Sequence, residues 1–360
     1  MTQLAGHTTD TDSPEAFAER LMGILNDAGL ALMLAIGHRT GLFDALAGMM
    51  PATTHQIAAR AGLNERYIRE WLGAMVTGRI IHYNAGDKTY HLPPVHAGFL
   101  TRAGSPNNLA ASMQWISVLA SVEDGIVERF SAGGGVHYHD YHRFHEVMAA
   151  ESEQTVVAAL LDHILPLEPG LIEQLRGGID ALDIGCGSGR ALCLMARTFP
   201  ASRFTGYDLC DDAVQAARSH ATSLGLSNAR FEAHDLARME VREAYDLITA
   251  FDVIHDQRDP AAVLRCVYAA LKPAGLFLMQ DLGLSSHLQN NMDHPLAPFI
   301  YTISTMHCMS VSLAQNGAGL GAAWGEELAV RMLGEAGFKK IAVRKLPHDI
   351  QNNFYLVRKG

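Results

Sequence analysis

The chain has 360 residues, long enough for two domains with separate cores. Its composition, 48% hydrophobic and 18% charged, excludes a fibrous or disordered protein, and a formal charge of -10 argues against a broad nucleic-acid-binding surface. The five cysteines are odd in number and include no C-x-x-C pair, which suits reduced thiols in the cytoplasm rather than a disulfide framework.

Met1 to Glu15 is polar, with neither a basic start nor an apolar run, so no secretory signal is expected there. Residues 15–47 read as one or two helices, with Leu21, Ile24, Leu25, Ala28, Leu32 and Ile36 near helical spacing. Thr53 or Thr54 can cap a helix over Gln56–Ala61 that Gly62 stops, and Asn64 opens a second helix, Glu65–Thr77. Strand-like runs at Ile80–Tyr83 and Thr89–Leu92 flank the turn Asn84-Ala85-Gly86-Asp87. Helix, turn, helix, hairpin is the order of a winged helix, and it sets the first domain at residues 1–102.

Residues 103–176 form a second region, a helical linker and lid. A helical segment is expected roughly over Ser105–Arg129, a break at Gly133-Gly134-Gly135, and mostly helix from 136 to 176. From 177 to 360 strands and helices alternate as in a doubly wound α/β sheet. Strands are expected at Ala181–Ile184, Arg203–Asp208, Ala229–Ala233, Leu247–Phe251, Gly275–Gln280, Lys340–Val343 and Phe354–Val357. Residues 294–325 hold no Asp, Glu, Lys or Arg, yet Ser304, Thr305, Ser310, Ser312, Gln315 and Asn316 favour a buried helix and loop over a bilayer span.

The first strand ends at Asp183 and runs into Gly185-Cys186-Gly187-Ser188-Gly189, then into a helix. Glycines there let the backbone turn tightly and approach a ligand, and the helix N-terminus offers free N–H donors. A glycine loop alone also fits a nicotinamide-binding domain. Three further acids sharpen the reading. Asp208 ends the second strand, where a carboxylate can accept both hydroxyls of a ribose; Asp235 follows the third strand, within reach of an adenine amino group; Asp252 follows the fourth.

This order resembles the class I methyltransferases, so the expected architecture is a Rossmann-like class I methyltransferase sheet behind an N-terminal α-helical winged-helix domain. The resemblance implies S-adenosylmethionine as cofactor, held by Asp183, Gly185, Cys186, Gly187, Asp208, Leu209, Asp235, Leu236, Phe251 and Asp252. The run Phe251-Asp252-Val253-Ile254-His255-Asp256, with Leu264 to Pro273, is similar to plant-type small-molecule O-methyltransferases. That similarity implies His255 as general base, with Asp281 or Asp256 orienting its ring; a cofactor or packing contact is the competing role for His255. Ala35-Ile36-Gly37 and Gly41 to Leu46 resemble that family's dimerisation domain, which implies a homodimer. The whole chain also resembles bacterial winged-helix methyltransferases, through Arg143-Phe144-His145-Glu146-Val147-Met148, Thr305-Met306-His307-Cys308-Met309 and Trp324-Gly325-Glu326-Glu327.

His139, His142 and His145 recur at helical spacing on one face, and with His137 they admit three readings: a metal site, a solvated helix face, or part of a lid over an acceptor. Zinc sites of known kind want cysteine partners or H-E-x-x-H, and neither is here, so no metal is assigned. As a lid, the segment offers Tyr138, Tyr141, Phe144 and His145 to a small acceptor, opposite Met306 and His307 of an insertion at 283–325. The expected activity is methylation of a small-molecule acceptor, on oxygen or, with less need of a base, on sulfur or nitrogen. The rival is a ligand-sensing transcriptional regulator that binds DNA through its winged helix, supported by Arg60, Arg66, Arg69 and Arg79. Glu65 and Glu70 halve that local charge, and phosphate contacts dominate DNA affinity, so DNA is not expected as a partner.

Overall fold

A computed structural model describes residues 13–360 and divides the chain into two compact units, the first ending at Ser117 and the second beginning at Val118. In the first unit, helix α1 (Pro14–Arg39) starts at Ser13, whose hydroxyl accepts the Ala16 N–H at 3.1 Å. Its last third packs inward: Ala31, Ala35, Gly37 and His38 are buried, and the Trp71 indole donates to the Met33 carbonyl at 2.8 Å. A Cβ on Gly37 would stand 2.5 Å from the Phe43 ring, so glycine lets α1 lie against that aromatic core. Helices α2 (Leu42–Leu46), α3 (Thr54–Ala61) and α4 (Glu65–Thr77) follow. Thr53 and Gln56 make a reciprocal capping box on α3, and Asn64 caps α4, where the sequence places both starts. The wing is a short antiparallel pair, β1 (His82–Asn84) and β2 (Thr89–His91).

Two surfaces of this unit bear on function. The arginines of the helix-turn-helix are already engaged: Arg69 pairs with Glu65, Arg66 with Glu70, and Arg60 donates to the Ala45 carbonyl. The outward side of α1, by contrast, exposes Phe17, Leu21, Met22, Ile24 and Leu25. By length and composition α1 could cross a bilayer, but its C-terminal third belongs to the core just described.

The helical segment expected over Ser105–Arg129 is made of three pieces, Leu109–Ser112, Trp115–Ala120 and Glu123–Ala132. Ser117 and Ser121 bond back to carbonyls three residues earlier, at 3.0 and 2.6 Å, which competes with the helical ladder.

The second unit is built on a seven-stranded sheet. Its strands are β3 (Asp180–Ile184), β4 (Arg203–Asp208), β5 (Ala229–Ala233), β6 (Tyr245–Phe251), β7 (Leu271–Leu282), β8 (Lys340–Leu346) and β9 (Asp349–Arg358), in the order β5-β4-β3-β6-β7-β9-β8. The first five are parallel; β9 runs antiparallel to both β7 and β8. One apolar layer gathers Leu160, Leu192, Phe204 and Leu247, and the other Ile248, Val263, Phe277 and Leu333. The chain turns from β3 outward to β4 and β5, then returns to β6 on the other side of β3. Ligands bind in the crevice that such a switch point opens at the C-terminal strand ends. The 294–325 segment is a buried helical arm, Ala297–Ile303 and Met309–Ala314 joined by a π-turn at Ser304–Cys308.

Candidate active site

Four strand ends converge at the crevice. After β3, Gly185 has φ +63 and a Cβ there would meet Val253 at 2.4 Å, so that glycine serves close packing. Gly187, at φ +51, faces open space instead, the position where backbone N–H groups can meet a ligand. The Asp208 carboxylate at the end of β4 braces this loop, accepting from the Gly187 N–H at 2.8 Å and the Cys210 N–H at 2.9 Å. Asp183 lies beneath; Thr249 donates to it at 2.6 Å, while burial and the nearby Asp208 charge push its carboxyl up to about 7. Cys186 is half-buried behind the loop. Leu209 is exposed beside Asp208, and Asp235 caps the turn Leu236–Arg238 through the Ala237 N–H while pairing with Arg238, with Leu236 buried below.

Phe251, the last residue of β6, is half-buried, and Asp252 just beyond it sits at φ +57. Gln280 of β7 donates to Asp252 Oδ2 at 3.1 Å, but Oδ1 is buried without a partner. Burial and the Asp281 charge raise this carboxyl to about 8. The next turn carries His255, 4% exposed, with Nδ1 2.7 Å from Asp281 Oδ1. The same oxygen accepts the Leu282 N–H at 2.8 Å and the Trp324 indole N–H at 3.0 Å. Burial alone would lower the pKa of His255, yet the Asp281 carboxylate outweighs it and the imidazole is held well above its usual range. Cys308, buried in the helical arm, adds to that upward shift.

The lid lies over this site within the same unit. Tyr138 donates to Asp256 Oδ2 at 2.5 Å and Tyr141 to the Met306 carbonyl at 2.6 Å. Phe144 stacks on His307 at 4.3 Å, with Tyr138 and Tyr141 edge-on to the same imidazole at 5.4 and 4.9 Å. Enclosure, with the positive fields of His255 and His145, drives His307 down to about 3, so it is neutral. His145 reaches Cys210 Sγ at 3.5 Å.

Several expectations are corrected here. Asp256 does not orient His255; it is turned toward Tyr138 and Gln257, and Asp281 alone holds the ring. His139 and His142 do not share a helical face with His145, because Tyr138–Asp140 is a 3-10 turn and Arg143, at φ +64, starts a fresh helix at Phe144. Among the described residues no three His, Cys, Asp or Glu side chains could hold a metal. Sequence reasoning assigned no role to Thr249, Gln280 or Trp324. Of these, Trp324 left a signal, as the first residue of Trp-Gly-Glu-Glu.

Known proteins fit this geometry. Residues 28–102 match the Rv2258c-like winged helix-turn-helix domain and residues 175–329 a methyltransferase domain. The chain therefore joins a winged helix-turn-helix domain to a methyltransferase domain of class I fold. Human N-acetylserotonin methyltransferase, solved in complex with S-adenosylmethionine, superposes with a TM-score of 0.66 at 19% identity, covering 99% of both chains. The mitomycin 7-O-methyltransferase MmcR gives 0.64 at 18% identity over 96% of this chain and 98% of its own. The ubiquinone biosynthesis O-methyltransferase of Shewanella halifaxensis is 32% identical over 127 residues, 34% of this chain and 53% of that protein. Its counterpart in Shewanella sp. (strain ANA-3) is 35% identical over 129 residues, 34% and 52% of the two chains. The chain thus spans about half the length of the curated relatives it matches.

Proposed function

We propose that this protein is an S-adenosylmethionine-dependent methyltransferase that methylates a hydroxyl of a small, apolar or aromatic acceptor, with His255 as general base. The observation that carries this reading is the buried His255–Asp281 pair beside the glycine loop, at the crevice end of the sheet. The residues present suit the cofactor. Gly187 opens onto free space, Asp208 stands at the ribose position, and Asp252 Oδ1 is a buried acceptor awaiting a positive partner. Asp183, Gly185, Cys186, Leu209, Asp235, Leu236 and Phe251 would complete that site. Bound, S-adenosylmethionine supplies an electrophilic methyl group on a sulfonium.

The protein's own residues handle alignment and the proton. Asp281 holds the imidazolium proton well above the usual pH range; once it is lost, the ring keeps Nδ1–H on Asp281 and offers Nε2 as the basic nitrogen. His255 takes the acceptor's hydroxyl proton there as the oxygen forms its bond to the methyl carbon, a contribution of roughly 10²–10⁴-fold. Tyr138, Tyr141, Phe144, His145, Met306 and His307 line the acceptor side and exclude water. A thiol or amine acceptor remains compatible with the same walls, with less dependence on the base.

The exposed apolar side of α1 supports a homodimer, and five free thiols support a cytoplasmic protein. The test begins with a phenol and thiol panel assayed for S-adenosylhomocysteine release. On the best hydroxyl acceptor, His255→Ala should lower kcat by roughly 10²-fold or more with cofactor affinity unchanged. Wild-type turnover in that variant would remove His255 from the mechanism.

A further inference from the structure

Resting on the reading of His255 as base, we propose that Trp324 is a positioning residue for that base, acting through Asp281. Three donors converge on one carboxylate oxygen, Asp281 Oδ1: the His255 ring at 2.7 Å, the Leu282 N–H at 2.8 Å and the Trp324 indole at 3.0 Å. The other oxygen, Oδ2, is buried and has no partner, so the carboxylate's orientation rests on Oδ1 alone. Leu282 is the adjacent residue. The indole is therefore the donor from elsewhere in the fold that sets the carboxylate plane before the imidazole docks on it.

The surroundings of Trp324 are built to hold the indole still. It is 3% exposed, and Ser286 Oγ donates to its carbonyl at 2.6 Å. Gly325 has φ +81 and lies so close to Ser286 that a Cβ would stand 2.0 Å from its nitrogen. Glu327 accepts from Ser285 Oγ at 2.7 Å and Ser286 N at 2.6 Å, closing the clamp. An indole N–H suits the task because it donates at every pH and cannot accept. It also draws part of the carboxylate's charge away from His255. Without it, Asp281 would hold the imidazolium proton more firmly, and the base must be neutral to act.

Trp324→Phe keeps an aromatic ring and removes the donor. With the hydroxyl acceptor found in the panel, kcat should fall about tenfold while KM changes less than twofold. The acid limb of the kcat–pH profile should move up by roughly half to one unit, a displacement that looser packing alone would not produce. A second measurement needs no turnover and leaves Trp324 in place. In wild-type protein labelled at the tryptophan indole nitrogens, the Trp324 N–H resonance should titrate with the midpoint of the His255 ring, and that titration should vanish in His255→Ala. Full activity and an unmoved pH limb in Trp324→Phe, with His255→Ala inactive, would overturn the role of Trp324 and leave the base in place. An indole resonance that ignores the His255 titration would overturn it equally. If His255→Ala itself turns over normally, the base reading fails first.

Discussion

A carboxylate whose burial and acidic neighbour outweigh any nearby positive charge keeps its proton, and Asp252, beside Asp281, is such a group, its folded pKa near 8 against an ordinary value of 3.8. Between those values the folded state binds the proton and the unfolded state does not, so stability falls as pH rises from about 4 to 8. Thermal melts of the ligand-free protein should show that decline, to which Asp183, pushed up to about 7, also contributes, and Asp252→Asn should make it shallower. The same group makes a second test of the cofactor site. A cationic ligand meeting Oδ1 favours the charged carboxylate, so S-adenosylmethionine binding at pH 7 should release protons. Calorimetry in buffers of different ionisation enthalpy measures that release; equal heats in all buffers, for wild type and Asp252→Asn alike, would count against Asp252 as a contact. Asp208→Ala, which removes the brace on Gly187, should abolish cofactor binding without unfolding the sheet.

At the scale of elements, the lid and the helical arm behave as one assembly. Gly135 presses on the arm so closely that a Cβ would lie 1.7 Å from the Ser310 carbonyl, and Ser310 Oγ accepts the Val136 N–H at 2.8 Å. Gly135→Ala must push these segments apart, and overpacking of this kind costs about 1–3 kcal/mol. A melting temperature lower by several degrees, with weakened acceptor binding, is the expected outcome. Tyr138→Phe is a gentler probe: it keeps the ring but frees Asp256, a buried carboxyl raised by its enclosure. KM for the acceptor should rise several-fold while cofactor affinity stays constant. A change in cofactor affinity alone would place Tyr138 outside the acceptor site. The arm also owes its inward side chains to the π-turn at Ser304–Cys308, which widens the helix by one residue and buries both His307 and Cys308.

For the whole molecule the open question is assembly. An aqueous monomer would leave Phe17, Leu21, Met22, Ile24 and Leu25 on one exposed helix, an apolar patch larger than solvated surfaces usually keep. Light scattering should therefore report twice the 39.0 kDa chain mass, and Leu25→Asp should shift it toward one chain. The winged helix should not bind DNA, because its helix-turn-helix arginines Arg66 and Arg69 are paired with Glu70 and Glu65. Nanomolar, salt-dependent binding to a defined duplex would reverse that expectation.

Much of this architecture was legible in the residues themselves. Local signals suffice where one segment's conformation depends on its own side chains: the Thr53 and Asn64 caps, the Gly62 stop, the glycine loop after Asp183 and the β4 and β5 boundaries all lie where the sequence puts them. The resemblance carried by Phe251 to Asp256 likewise pointed to His255 and offered Asp281 as its partner. What the sequence left open was every pairing between distant positions. Asp256 adjoins His255 in the chain but turns to Tyr138, 118 residues away, while Asp281 reaches His255 across 26. Helical spacing placed the lid histidines on one face; a single left-handed residue, Arg143, separated them. Trp324 reaches Asp281 only because strand β7 and the turn before Gly325 pack side by side. Caps and glycine turns are decided by short-range sterics and hydrogen bonds. Which carboxylate faces which ring is decided by how sheet and helices close around them, and that follows from burial summed over the whole core.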